Sequence, residues 1–159
     1  MNKISFLPIL GVLILGVNPQ VKGQDLSGQQ IAAIENHVDS VFQKMLILAE
    51  KLDYDGLSTG VDDKYHAGFI TNGKYYSDYS SLIDNIKSRA GGVIEQDITI
   101  NNKKISVLTD KLALLTASGI SQVTLTNGNV FDANFQWSFL YEKINGTWKV
   151  VYSHQSQTN

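Results

Sequence analysis

The residues of this 159-residue sequence that could carry acid–base chemistry are three histidines, a few aspartates and several tyrosines. A histidine titrates near neutral pH, so it can serve as a general base or bond a ligand carbonyl. His154, in an aromatic-rich stretch near the C-terminus, is the main candidate for either role, and a buried structural histidine is the alternative. His66 follows Tyr65 and the Asp62-Asp63 pair, so a His–Asp dyad stands there against a plain polar loop. His37 falls off the apolar side of a helical pattern and reads as solvated. Tyr54, Tyr76 and Tyr152 are candidate hydrogen-bond donors beside such a base. Three histidines among scattered aspartates have no zinc-ligand spacing. With no cysteine, no Gly-x-Ser-x-Gly elbow and no phosphate-cradling loop, no metal and no cofactor is expected.

The elements that must position these side chains follow from periodicity. Ser27-Gly28-Gln29-Gln30 has the form of a capping box. After it, Ile31, Ile34, Val38, Val41, Met45, Leu48 and Leu52 recur at steps of three and four, which predicts a long helix laid across a sheet. A short coiled coil is the rival reading. Residues 53–65 read as a short helix or loop, His66 to Tyr76 as a small hairpin turning at Asn72-Gly73, and Ser77 to Arg89 as a helix. From Val93 the chain becomes strand-like, with Asn101 to Lys104 as a bulge or kink. Asn127-Gly128 and Asn145-Gly146 fall between long strand-like runs and predict a meander of type I′ hairpins. The second also opens a glycosylation sequon, which the tight turn explains by itself.

Two-residue turns fix register, so the sheet faces can be counted out from them. From Asn145-Gly146, Trp137 should meet His154 and Phe139 should meet Tyr152. From Asn127-Gly128, Ser118 should meet Trp137 and Ile120 should meet Phe135. One face then holds Phe135, Trp137, Phe139, Tyr141, Trp148, Val150, Tyr152 and His154, beside the small Thr116 and Ser118. Small residues next to large aromatics suit the lining of a cavity. Trp137, His154, Ser118, Phe139, Tyr152, Phe135 and Tyr54 are therefore the expected ligand-pocket residues, with a plain packed core as the alternative. The opposite face would carry Leu115, Leu140 and Val151 side by side, a patch that suits a homodimer through the outer sheet face.

Residues 1–23 read as a signal peptide. Lys3 precedes the apolar stretch Phe6 to Val17, and Val21-Lys22-Gly23 precedes a cut before Gln24. The apolar stretch is too short for a bilayer span, which needs ~20 residues. The expected mature unit is one domain over 24–159, exported to the periplasm or beyond, with no membrane segment after cleavage. Cleavage removes Lys3 and Lys22, which makes the net charge of −2 more negative by two. An acidic domain without a basic cluster is a poor nucleic-acid binder.

The run Tyr141-Glu142-Lys143-Ile144-Asn145-Gly146-Thr147-Trp148-Lys149-Val150-Val151-Tyr152-Ser153-His154-Gln155-Ser156, with the element order before it, resembles the nuclear transport factor 2-like superfamily. Within it, the sequence looks like the SnoaL-like branch and the association domain of calcium/calmodulin-dependent kinase. The resemblance implies an α+β, cone-shaped fold, with a long N-terminal helix and further helices packed on a curved, mostly antiparallel sheet around an internal pocket. It also implies either of two functions. One is non-catalytic binding of a small, largely apolar or aromatic ligand. The other is an isomerase, lyase or hydrolase of the ketosteroid isomerase type, using a pocket His and Tyr. The inward carboxylate of the catalytic members has no counterpart on the inward face derived above, so fold alone carries no enzyme claim.

Overall fold

A computed structural model describes residues 26–158. The signal-peptide reading of residues 1–23 and the cut before Gln24 lie outside the described residues. Helix α1 spans Gly28–Glu50, α2 Tyr54–Ser58 and α3 Tyr79–Arg89. The strands are β1 Phe69–Thr71, β2 Lys74–Tyr76, β3 Val93–Val107, β4 Leu112–Leu125, β5 Val130–Ile144 and β6 Thr147–Thr158. They form one curved sheet in the order β2-β1-β6-β5-β4-β3. Only the β1–β6 pairing is parallel. The expected order of long helix, short helix, small hairpin, helix and four long strands is the order observed. None of the described helices is long and apolar enough to cross a membrane.

Helix α1 starts where the capping box predicts. The Gln30 N–H donates to Ser27 Oγ at 3.3 Å, and the Ser27 N–H donates to Gln30 Oε1 at 2.9 Å. The helix stops at Glu50, and Leu52 lies beyond it with φ 56°, so the apolar stripe outruns the helix by its last member. The buried line is Val38, Phe42 and Leu46, rotated from the expected stripe, with Val41 and Met45 packed beside it. Removing each of those three side chains from water stabilises the fold by about 1.5–3 kcal/mol. The helix rests mainly on β3, where the Ile98 N–H donates to Glu50 Oε1 at 3.1 Å and Lys103 pairs with Asp39.

Helix α3 is set by Asp78. Its carboxylate accepts from the Ser81 N–H at 2.8 Å and from the hydroxyls of Ser80, Ser81 and Ser77. The Ser81 backbone bond, then the hydroxyl bonds, hold this carboxyl well below the usual carboxylate range. A depressed native pKa stabilises the fold above the unfolded value, near pH 4, and the effect fades as pH falls toward the native value. Asp78→Ala is therefore expected to melt below wild type at pH 7, with the gap closing in melts taken between about pH 4 and pH 2. A gap independent of pH would refute the charge-based cap.

Two of the three Asn-Gly turns are type I′. Asn72 and Gly73 have φ of 49° and 77°, and Asn145 and Gly146 have 50° and 84°. At Asn127-Gly128 only the glycine has positive φ. The Leu125 N–H donates to the Asn129 carbonyl at 2.9 Å, which leaves a three-residue loop, 126–128. That extra loop residue moves β4 by one. Tyr141, Phe139, Trp137 and Phe135 therefore meet Ala113, Leu115, Ala117 and Gly119, not Leu114, Thr116, Ser118 and Ile120.

Strand β6 shifts as well. Tyr141 meets Val150 as expected, but Leu140 meets Tyr152, so Val151 is an inserted bulge residue. The bulge falls where β6 changes partner. Val150 bridges Val61, its N–H donating to the Gly60 carbonyl and its carbonyl accepting from Asp62, both at 2.9 Å; from Ser153 onward the partner is β1. Beyond the bulge the faces invert. Trp137 meets Gln155 and Phe139 meets Ser153. The expected outer patch is broken up by the same two shifts. Leu115 and Val151 are buried, and Leu140 instead lies abreast of Leu114 and Tyr152.

Candidate functional site

A cavity of about 520 Å³ lies between the inner sheet face and the three helices. That is within the ordinary range for a small-molecule site, ~300–1,000 Å³. Strand β5 supplies Trp137, Phe139 and Tyr141, and β6 supplies Trp148, Val150, Ser153 and Gln155. Met45 and Leu48 come from α1, Tyr54 and Leu57 from α2, and Tyr79, Leu82 and Ile86 from α3. The sheet alternation that buries the β5 aromatics is thus the same alternation that builds the floor.

Of the expected pocket residues, Trp137, Phe139 and Tyr54 line the cavity. Phe135 is buried behind it, stacked on Trp137 with ring centroids 3.8 Å apart. Ser118, Tyr152 and His154 do not line it. The loop at 126–128 turns Ser118 to the outer face, where its hydroxyl accepts from Asn102 Nδ2 at 3.3 Å. The bulge at Val151 turns Tyr152 and His154 outward, and His154 is exposed opposite Ser138. His66 is exposed too, and no dyad forms with the aspartates before it. Asp62 Oδ1 accepts from the Lys64 N–H at 3.1 Å, and Asp63 Oδ2 from the Tyr79 N–H at 3.1 Å, so both carboxylates shape backbone. Tyr76 donates to Asn85 Oδ1 at 2.7 Å.

Sequence counting does not find Tyr141 and Trp148, which the inward face contains but the expected pocket does not, or Ser153 and Gln155, which an unbroken register from Asn145-Gly146 turns outward. Three ring donors on the cavity wall have no hydrogen-bond partner among the described residues: Trp137 Nε1, Tyr141 Oη and Trp148 Nε1. Burial pushes the Tyr79 phenol up to about 12. Burial, then the nearby Tyr79 and Asp39, raises Tyr141 further, and burial also raises Tyr54. All three phenols stay protonated at neutral pH and can donate. No Asp, Glu or His is among the lining residues described. No group of three or more His, Cys, Asp or Glu among the described residues could hold a metal ion.

This geometry fits what the comparisons show. The family model of the calcium/calmodulin dependent protein kinase II association domain matches residues 80–159, half of the chain. The chain belongs to that family. Solved structures extend the likeness over the described fold. An association-domain candidate from Xanthomonas campestris is 15% identical, with 84% of this chain and 89% of that one covered and a TM-score of 0.61. A nuclear transport factor 2-like superfamily protein from Salmonella enterica serovar Typhimurium is 15% identical over 81% and 94% of the two chains, with a TM-score of 0.71. A candidate scytalone dehydratase from Novosphingobium aromaticivorans is 9% identical over 84% and 89%, with a TM-score of 0.73. At these identities the likeness is one of fold. No curated protein matches the sequence. The association-domain family and the nuclear transport factor 2-like fold are those that the C-terminal run resembled.

Proposed function

We propose that this association-domain family member binds a small, largely apolar ligand in the cavity between its helices and sheet. The observation that carries the reading is a cavity of about 520 Å³ walled by aromatic and aliphatic side chains from the sheet and all three helices. The isomerase-type alternative calls for a histidine in the cavity, and both of its candidates lie outside it.

The test uses N-phenyl-1-naphthylamine, a neutral apolar fluorophore small enough for the cavity. Both tryptophans of the described chain line the wall, so binding should brighten the probe and quench Trp137 and Trp148 together. Leu48→Arg, at the wall, should abolish both signals without lowering helix content. No binding up to the solubility limit of the probe overturns the proposal. The same proposal places the protein outside the cytoplasm, on the strength of residues 1–23. An intact Met1 on N-terminal sequencing of protein from its own host overturns that part.

A further inference from the structure

Helices α1 and α3 each bury side chains in the core, and α2 buries none. Yet Tyr54 and Leu57 of α2, and Thr59, Gly60 and Val61 after it, line the cavity. The backbone of α2 lies directly on α1, since a methyl group added at Gly56 would sit 2.9 Å from Leu48 Cδ2. A cover with so little buried apolar surface belongs to the part of a fold that opens first.

The incoming end of this segment turns at Leu52. The Leu52 N–H donates to the Ala49 carbonyl and the Asp53 N–H to the Leu48 carbonyl, both at 2.9 Å. That pair of bonds ends a helix on a left-handed residue, usually glycine. Here leucine takes φ 56°, which crowds its Cβ against a carbonyl oxygen. The other non-glycine residues with positive φ are two asparagines and a histidine, types that tolerate it better. The outgoing end is fastened to β6. The Val150 N–H donates to the Gly60 carbonyl and the Asp62 N–H to the Val150 carbonyl, both at 2.9 Å, and Lys149 Nζ donates to the Thr59 carbonyl. Between these ends, one side-chain bond among the described residues ties α2 to another helix. Asp55 Oδ1 accepts from Lys87 Nζ of α3 at 2.7 Å, with the two side chains 90% and 41% exposed.

We infer that α2 is a lid on the cavity, hinged at Leu52, anchored at Gly60 and latched to α3 by the Asp55–Lys87 pair. Closed, it completes the wall with Tyr54 and Leu57. Open, it clears a passage between α2 and α3. This rests on the ligand-binding reading above and adds the route by which the ligand enters. An exposed ion pair is a weak latch that salt loosens. The leucine at the hinge opposes the latch, because leaving the left-handed region relieves its strain.

The experiment follows association of N-phenyl-1-naphthylamine by stopped flow. The probe is neutral, so salt acts on the protein. Raising sodium chloride from about 10 mM to about 500 mM should speed association about two- to fivefold as the latch is screened. Lys87→Gln should show the faster rate at both salt concentrations. Lys64→Gln breaks the Lys64–Glu142 pair instead and should keep the wild-type response. Leu52→Asn, which tolerates the left-handed region, should slow association. The two variants thus move one rate in opposite directions, whereas two merely destabilising changes would move it the same way. Hydrogen exchange by NMR gives a readout that needs no ligand. The Leu57 amide, bonded to the Asp53 carbonyl at 3.0 Å, should exchange about two- to fivefold faster in Lys87→Gln, while amides in the middle of α1 keep their rates. Equal exchange of the Leu57 amide in the two proteins overturns the lid whatever the probe does. If the probe binds but its association ignores both salt and Lys87→Gln, the lid is wrong and the cavity reading stands. If the probe does not bind up to its solubility limit, both fall.

Discussion

Gly119→Ala is expected to lower the melting temperature by ~10 °C, a loss of about 3 kcal/mol. Gly119 stands opposite Ile100, just before the register shift between Ile100 and Asn102 in β3. A methyl group on its Cα would sit 1.9 Å from the Thr99 carbonyl oxygen and 2.7 Å from Phe135 Cζ. The first obstacle is backbone, so no rotamer change relieves it, and β3 must part from β4. The second is the ring stacked on Trp137, so the displacement reaches the cavity floor. The variant should therefore lose affinity for N-phenyl-1-naphthylamine as well as stability. Gly28→Ala is the control, since nothing lies within 4 Å of the added methyl at the start of α1. A Gly119→Ala protein that melts within a degree or two of wild type would show that the two strands are not so close.

Phe42→Ala should cost about 3–5 kcal/mol in denaturant unfolding, the range for truncating a buried aromatic. Phe42 is 0% exposed, its ring 6.1 Å from that of Phe139, and Lys103 Nζ lies 5.9 Å over its face. Three things are lost together: the contact with the sheet, the site for the Lys103 cation, and the rest of the helix against β3. Phe139 also lines the cavity, so the space opened by the truncation lies next to the ligand wall. A loss below about 1.5 kcal/mol would mean that the surroundings collapse to fill the gap, and that α1 is not held where it is described.

The sequence was informative wherever structure is set locally. The capping box at Ser27 and Gln30 needs only four residues, and the Asn72-Gly73 and Asn145-Gly146 turns need two. The third Asn-Gly went differently for a reason that lies 34 residues away: the Thr126 N–H donates to the Gly92 carbonyl at 2.8 Å. That tie at the start of β3 accompanies the three-residue loop and the one-step shift of β4. The bulge at Val151 has the same character, because the segment from Gly60 to Asp62 docks on Val150 and β1 takes over beyond it. Neither contact leaves a mark in the strands it shifts. Trp137 and Phe139 were placed correctly because β5 itself runs without interruption through them. Ser118, Tyr152 and His154 were misplaced because each lies across a shift from the turn used to count it.

The doubled valine at 150–151 also works as a punctuation mark in the gene. Side chains alternate strictly along a strand, so an extra residue sets the parity of every residue after it. Pairing Val151 into the ladder, with no residue lost, would restore simple alternation and exchange the two sides of the strand beyond it. Tyr152 and His154 would then face the cavity, and Ser153 and Gln155 would face solvent. The same stretch of sequence thus encodes two linings, one of hydroxyl and amide and one of phenol and imidazole, separated by whether Val151 bulges or pairs. The docking of Gly60 to Asp62 on Val150, which accompanies the bulge, therefore stands between a wall without a base and a wall furnished with one, and no residue of either wall differs between them.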